Sequence, residues 1–323
     1  MPTTITSADV VDQFGEYYIN NGQNENDIHD TLREQLEDIG DFTVVDSDDT
    51  ILRAANVEYT EVLQAFQTAF TPKGSVTFTP KEIPLFNVKI DQQFYPDVLK
   101  NQWLAFLTSE NLDRTTWPFV RWFIEKYVLP QINHDLVKNL YGAVRVAPTE
   151  GTAGAASASF NGLRKIINDG ITGNTIVPIT TGVPNTNPTT WLSQVETFCQ
   201  SIPELYWETS MGLKMSRALA LRYKRGFRMT YDAFAFGVKD NLSLVTDFEN
   251  IQVIGRGSMT GVSKIWTTPK LNAIMAFKGG SNRGMVEVEK VDRMVKVYTD
   301  FWIGLGFIQD ALVWTNDQDT TES

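Results

Sequence analysis

Val295-Lys296-Val297-Tyr298-Thr299-Asp300-Phe301-Trp302-Ile303-Gly304-Leu305-Gly306-Phe307 places an apolar or β-branched residue at every odd position. Successive strand side chains point to opposite faces, so period two over this stretch predicts one strand of about 13 residues, or roughly 43 Å at ~3.3 Å per residue. Ordinary strands run to about 5 or 6 residues. Such a reach suits an extended architectural protein better than a compact catalyst, whose strands end early so that loops can gather reactive groups. Gly304 and Gly306 predict places where a helix or a neighbour approaches closely. Upstream, the apolar face lies on even positions, Val286 and Val288, which predicts a bulge or bend between Glu289 and Arg293.

The rest of the chain alternates helical and extended patterns. Helices are expected near Ser7 to Asn20 and Asn26 to Ile39. A third is expected from about Arg53 to Phe70, where Tyr59, Val62, Leu63, Phe66 and Phe70 recur at spacings of three and four. At Pro72-Lys73-Gly74 the period changes. Val76 and Phe78, then Phe86, Val88 and Ile90, alternate with polar residues, and Pro80 and Pro84 suit edges or turns. This reads as a two-stranded arm, which is marginal by itself in water and calls for support from another subunit.

Leu99, Trp103, Phe106 and Leu107 mark the next helix. After it a long one begins with Thr115 or Thr116 as cap and Pro118 in its first turn. Val120, Phe123, Ile124, Tyr127, Ile132, Leu136 and Leu140 give it one apolar face over roughly 25 residues, with a kink or split expected at Pro130. Ala147 to Ser159, rich in Gly, Ala, Ser and Thr, marks a domain boundary. Beyond it come a short helix ended by Gly170, a polar loop from Gly173 to Thr190, a helix bearing Leu192, Val195 and Phe198, and a helix from about Met211 to Arg225. Strands are expected at Ile251 to Ile254, Lys264 to Thr267 and Leu271 to Phe277. The fold class is α+β.

At 323 residues, with 42% hydrophobic and 21% charged residues, the chain can bury a substantial core and is expected to divide into two lobes. The net charge is −11, with Asp27, Asp30, Glu34, Glu37, Asp38, Asp41, Asp46 and Asp48 crowded near the amino terminus. So negative a surface repels polyphosphate over a Debye length of ~8 Å, which argues against a dedicated nucleic-acid reader. No apolar run of about 18 residues and no signal-peptide pattern is present, so no membrane span is expected and synthesis in a cytosol is.

Catalytic signals are weak. His29 and His134 are the only histidines and lie far apart in sequence, which leaves no imidazole pair for a metal. Cys199, the only cysteine, adjoins Phe198 on an apolar stripe and reads as a buried thiol. Gly255-Arg256-Gly257-Ser258-Met259-Thr260-Gly261 lacks the spacing of a dinucleotide fingerprint and the Lys-Ser/Thr of a Walker loop, so a turn between strands is expected. Asp46-Ser47-Asp48-Asp49 lacks the calcium-loop glycine and distal glutamate and reads as a solvated acidic turn. The basic cluster Lys214, Arg217, Arg222, Lys224, Arg225 and Arg228 has no regularly interleaved aromatics and reads as a solvated face or an interface with a neighbour's acidic segment. No catalytic residue, cofactor or metal site is assigned. A hydrolase whose carboxylates, such as Asp300 and Asp310, meet only in three dimensions stays open.

VTFTPKEIPLFNVKIDQQFYPDVLKNQWLAF (76–106), FNGLRKIINDGITGNTI (160–176), SKIWTTPKLNAIMAF (263–277) and KVYTDFWIGLGFIQDALVW (296–314) occur in that order. In that order they resemble the extended loop and spine, the entry to the axial lobe, its strand pair, and the closing strands of the Hong Kong 97-type major capsid proteins of tailed bacteriophages. Encapsulin shells share that fold. The resemblance implies an amino-terminal helical arm (1–70), an extended loop (71–95), a peripheral domain with the spine helix and long strand (96–146 and 286–309), and an axial domain (147–285 and 310–323). It implies self-assembly through hexamers and pentamers into an icosahedral virion shell in the host cytoplasm. Scaffold, portal and decoration proteins are then further partners, double-stranded DNA is enclosed without sequence-specific contact, and no membrane is involved. Lys73, Lys81, Lys89, Phe86, Val88, Arg222 and Arg225 are the expected subunit-contact residues. Some members cross-link a lysine of this loop to an asparagine, but no asparagine or activating glutamate here matches residue by residue.

Overall fold

A computed structural model describes residues 7–14, 40–112, 117–231, 244–245, 248–279 and 286–320. The long strand is present as β11, Met294–Phe307. Its odd positions Val295, Val297, Phe301, Ile303, Leu305 and Phe307 are all buried. Three strands share its length. β10, Val286–Val291, pairs with its first half; β4, Phe86–Phe94, runs antiparallel along Val295 to Ile303; and β9, Ala273–Lys278, takes Ile303 to Phe307. β1, Thr43–Ser47, extends the sheet by pairing parallel to β9.

The expected bulge is instead a hairpin. β10 pairs with β11 through Val288↔Val297 and Val291↔Met294, so the chain reverses at Asp292-Arg293, with Asp292 at φ +54°. An antiparallel pair of this register puts even positions of one strand on the same face as odd positions of the other, which is the parity change seen in the sequence.

The odd face packs on the spine. Phe119–Phe123 (α3) runs through a π-turn at Ile124–Val128 into Leu129–Asn139 (α4) as one continuous helix. Pro130 neither splits nor ends it. A proline ring clashes with the carbonyl four residues back, and the wider π-turn, in which the Leu129 N–H donates to the Ile124 carbonyl, supplies the extra residue that absorbs the clash. The expected caps Thr115 and Thr116 lie outside the described residues. Helix α2, Pro96–Ser109, adds Trp103 and Leu107 to the same core, and α1, Ser7–Phe14, adds Val10. The remainder of the first expected helix and all of the second lie outside the described residues.

A second sheet, in the order β12-β8-β5-β7-β6, comprises Met211–Ser216 (β5), Leu244–Val245 (β6), Phe248–Arg256 (β7), Trp266–Thr267 (β8) and Trp314–Thr315 (β12). Its own core uses Trp191, Val195 and Phe198 of α6, Pro188–Gln200, and Leu219 and Tyr223 of α7, Arg217–Thr230. The expected helix from Met211 therefore begins later. Ser216 ends the strand and caps α7 by accepting from the Leu219 N–H, so strand becomes helix with no linker between them. Helix α5, Leu163–Thr172, runs past Gly170 and stops at Gly173.

The helix expected from Arg53 is also corrected. Ile51–Tyr59 is a strand, β2, paired antiparallel with Val76–Pro84, β3. The arm is thus β2 with β3, and β4, expected as its second strand, belongs to the first sheet. Pro80 and Pro84 sit on a strand whose only described partner is β2, where a missing N–H costs no ladder bond on the open edge.

Candidate functional site

The arm is the feature a self-contained subunit does not need. Its ladder runs from Ile51↔Pro84 to Tyr59↔Val76 and closes with the Thr60 N–H donating to the Ser75 carbonyl at 3.0 Å. Beyond that point Leu63, Phe66 and Phe70 are 85%, 95% and 94% exposed, and Phe78 on the ladder is 66% exposed. Large apolar side chains exposed together on one loop make it the candidate interaction surface, since singly scattered ones are common on any protein.

The base of the arm is anchored firmly. Ile83 and Leu85 are buried with Ile274 and Ala276 against the even face of the first sheet. That approach requires Gly304 and Gly306. A Cβ on Gly304 would lie 2.6 Å from the Pro84 carbonyl oxygen, and one on Gly306 2.6 Å from Cγ1 of Ile83. The neighbour predicted at these glycines is the arm of the same chain. Lys81 completes the anchor, its Nζ 2.5 Å from Asp310 Oδ2, which also accepts from the Thr175 hydroxyl at 2.8 Å.

The expected contact residues fall in four places. Lys73 folds back on the tip, 2.6 Å from the Leu63 carbonyl and 3.0 Å from Glu61. Lys81 holds the arm's base. Lys89 is exposed on β4 and pairs with Asp91 at 2.8 Å, whose hydrogen bond raises the lysine pKa. Phe86 and Val88 are half-buried against their own core, opposite Ile303 and Phe301. Arg222 donates to the Asn185 carbonyl at 2.8 Å, and Arg225 is exposed on the same helix. The basic cluster is not one face, because Lys214 lies on β5 and is buried. Sequence reasoning assigned Leu63, Phe66 and Phe70 to a helix core and missed Asp310 as the partner of Lys81; no local signal links residues so far apart in the chain.

Buried charges join the two sheets. Arg256 grips Asp41 with Nε and Nη2, each 2.6 Å from a carboxylate oxygen. Lys214 sits 4.4 Å from the Trp266 ring centroid, and burial lowers its pKa to about 8 despite the nearby Asp41. Lys264 is fully buried and its pKa is likewise lowered by burial to about 8. Asp319 accepts from Arg164 at 3.0 Å and from the Tyr141 hydroxyl at 3.5 Å, and burial first and this carboxylate second raise the tyrosine pKa.

The structure separates Asp300 and Asp310. Asp300 is exposed opposite Lys89 in mid-strand, whereas Asp310 follows the end of β11, roughly 20 Å on at ~3.3 Å per strand residue. They form no acid–base pair. Cys199 is buried, which pushes its thiol up to about 12, and His134 is on the helix surface. Gly257–Met259 is one short turn between β7 and β8, as expected. Among the described residues no group of three or more His, Cys, Asp or Glu side chains is placed to hold a metal, and no helix is long and apolar enough to cross a membrane.

No protein-family model and no curated protein matches the chain. Solved structures do. The chain is similar to one from the satellite phage P4 procapsid including size determination (Sid) protein, with TM-score 0.60 and 11% identity over 91% of this chain and 90% of that one. It is similar to the capsid of Myoviridae phage XM1 (0.52, 12%, 86% and 90%) and to the capsid of an empty GTA particle (0.50, 12%, 88% and 88%). The chain has the Hong Kong 97-type capsid fold.

Proposed function

We propose that this chain is a major capsid protein that assembles with copies of itself into the icosahedral shell of a tailed phage. The observation that carries the reading is the anchored arm with Leu63, Phe66 and Phe70 almost wholly exposed at its tip. Burying each such side chain contributes about 1.5 to 3 kcal/mol, so one docked tip offers about 5 to 9 kcal/mol before association costs. Repeated heterologous contacts of that size close into rings and shells without any one being tight. In this reading the first sheet and spine form the peripheral lobe, and the second sheet with α6 and α7 the axial lobe. The particle assembles in the host cytoplasm and encloses double-stranded DNA, with scaffold, portal and decoration proteins as further partners. An encapsulin-type shell would differ in its contents, protein cargo instead of DNA.

The test is electron microscopy and sedimentation of the purified chain beside a variant in which Glu61 to Gly74 is replaced by Asn-Gly. That deletion spares β4, which belongs to the core. The wild type should form closed particles and the variant should stay soluble and unassembled. A compact wild-type monomer at every concentration with a protease-resistant tip, or unchanged assembly of the variant, would refute the reading.

A further inference from the structure

A cleft of about 700 Å³ lies between the carboxy-terminal half of the spine, the β7–β8 turn and the start of α7. That volume is in the range of small-ligand sites. Phe42, Val137, Met259 and Trp266 give it an apolar lining, while Lys138, Arg217 and Arg256 bring cations from three separate elements. Asp41 is the one carboxylate among the described lining residues, and Arg256 occupies both its oxygens. The balance of three cations against one anion is +2, in a chain whose net charge is −11.

Two of those cations, Lys138 and Arg217, are exposed to solvent at the cleft. Lys138 and Arg217 make no hydrogen bond or ion pair among the described residues, whereas Arg256 in the same lining is paired with Asp41. Arg217 is also placed where a cation is disfavoured, in the first turn of a 14-residue helix whose dipole is positive at that end. Gly257 bears no side chain beside this guanidinium, which a Cβ there would touch at 3.6 Å from Cζ. An anion in the cleft relieves the repulsion between these groups and gains charge-assisted hydrogen bonds from both.

We propose that this cleft binds the phosphate group of a nucleotide, with Lys138 and Arg217 on the phosphate and the apolar lining against the attached nucleoside. The site works by side chains and is unrelated to a glycine-rich phosphate loop, whose spacing the Gly255 to Gly261 stretch lacks. The phosphate can belong to a free nucleotide or to a nucleic-acid strand, and the ligands tested separate the two.

Adenosine monophosphate, inorganic phosphate and a short single-stranded oligonucleotide would each be titrated calorimetrically into the full chain. The same titrations would be run on Lys138→Gln, Arg217→Gln and, as a control from the outer part of α7, Arg225→Gln. Saturable binding of the nucleotide, tighter than phosphate alone, should weaken about tenfold or more with each cleft charge removed and should weaken further with added salt. Circular dichroism would verify that each variant keeps the wild-type fold. Oligonucleotide binding through the same two residues identifies a strand as the source, and nucleotide binding alone a free ligand; both uphold the site. Absence of saturable binding for all three, affinity unchanged in both cleft variants, or equal loss in Arg225→Gln overturns it.

Discussion

Replacing Gly306 with alanine should disturb the arm rather than the strand that carries it. The new methyl would stand 2.6, 2.7 and 3.0 Å from three carbons of Ile83, which is itself buried. Overpacking of this kind costs about 1 to 3 kcal/mol. Gly304→Ala should reach the upper end of that range, because its methyl meets the Pro84 carbonyl, a backbone atom that moves only if the base of the arm lifts. Ile83→Ala alone should cost about 2 to 5 kcal/mol by leaving a cavity. In the double variant Ile83→Ala/Gly306→Ala the added methyl enters that cavity. The two changes should therefore offset each other, with a coupling of about 1 kcal/mol or more where independent sites would add. Thermal melts of the unassembled chain would measure the cycle, and hydrogen exchange across β2 and β3 would show whether the loss is local to the arm. A Gly304→Ala variant that melts with the wild type, or additive costs around the cycle, would refute the packing of β3 on these glycines.

Replacing Ile303 and Leu305 together with aspartate should prevent folding, since both are buried between the spine and the sheet and two carboxylates there have no partner; a soluble double variant with wild-type circular dichroism would contradict the register. Lys214 and Lys264 both fall from the ordinary 10.5 to about 8 on folding, so the unfolded chain binds more protons than the folded one between those values. Their burial therefore weighs against the fold below about pH 8, and that penalty is relieved as pH rises toward 10.5. Lys214→Met should flatten that rise in melting temperature; an unchanged pH profile would show that the group stays charged at no cost.

Much of the architecture was legible because it rests on local patterning. The alternation from Val295 to Phe307 needs only one buried face, and the spine stripe from Val120 to Leu140, apart from Tyr127, which the structure leaves exposed, only a period near 3.6. The misreadings have a common cause. Val62, Leu63, Phe66 and Phe70 carry helical spacing, yet they meet no core of their own chain, so the periodicity has nothing to fold against. Pairing of β3 with β2 rather than β4 was invisible, because a period of two satisfies either partner equally. The start of α7 was misplaced because β5 and the helix share an apolar run, and only the Ser216 cap divides them.

By itself the sequence determined the length and orientation of β11, the buried thiol of Cys199, the absence of familiar nucleotide or metal spacings, and the glycines that something had to cover. Only the tertiary structure decided what covers them, which strands share β11, that Lys81 reaches Asp310, and that Lys138 and Arg217 border one cleft beside the Asp41–Arg256 pair. Local periodicity follows from the geometry of one chain segment and survives without its partners. Contacts between distant segments depend on which apolar faces find one another once the backbone has folded, and no spacing along the chain encodes that choice.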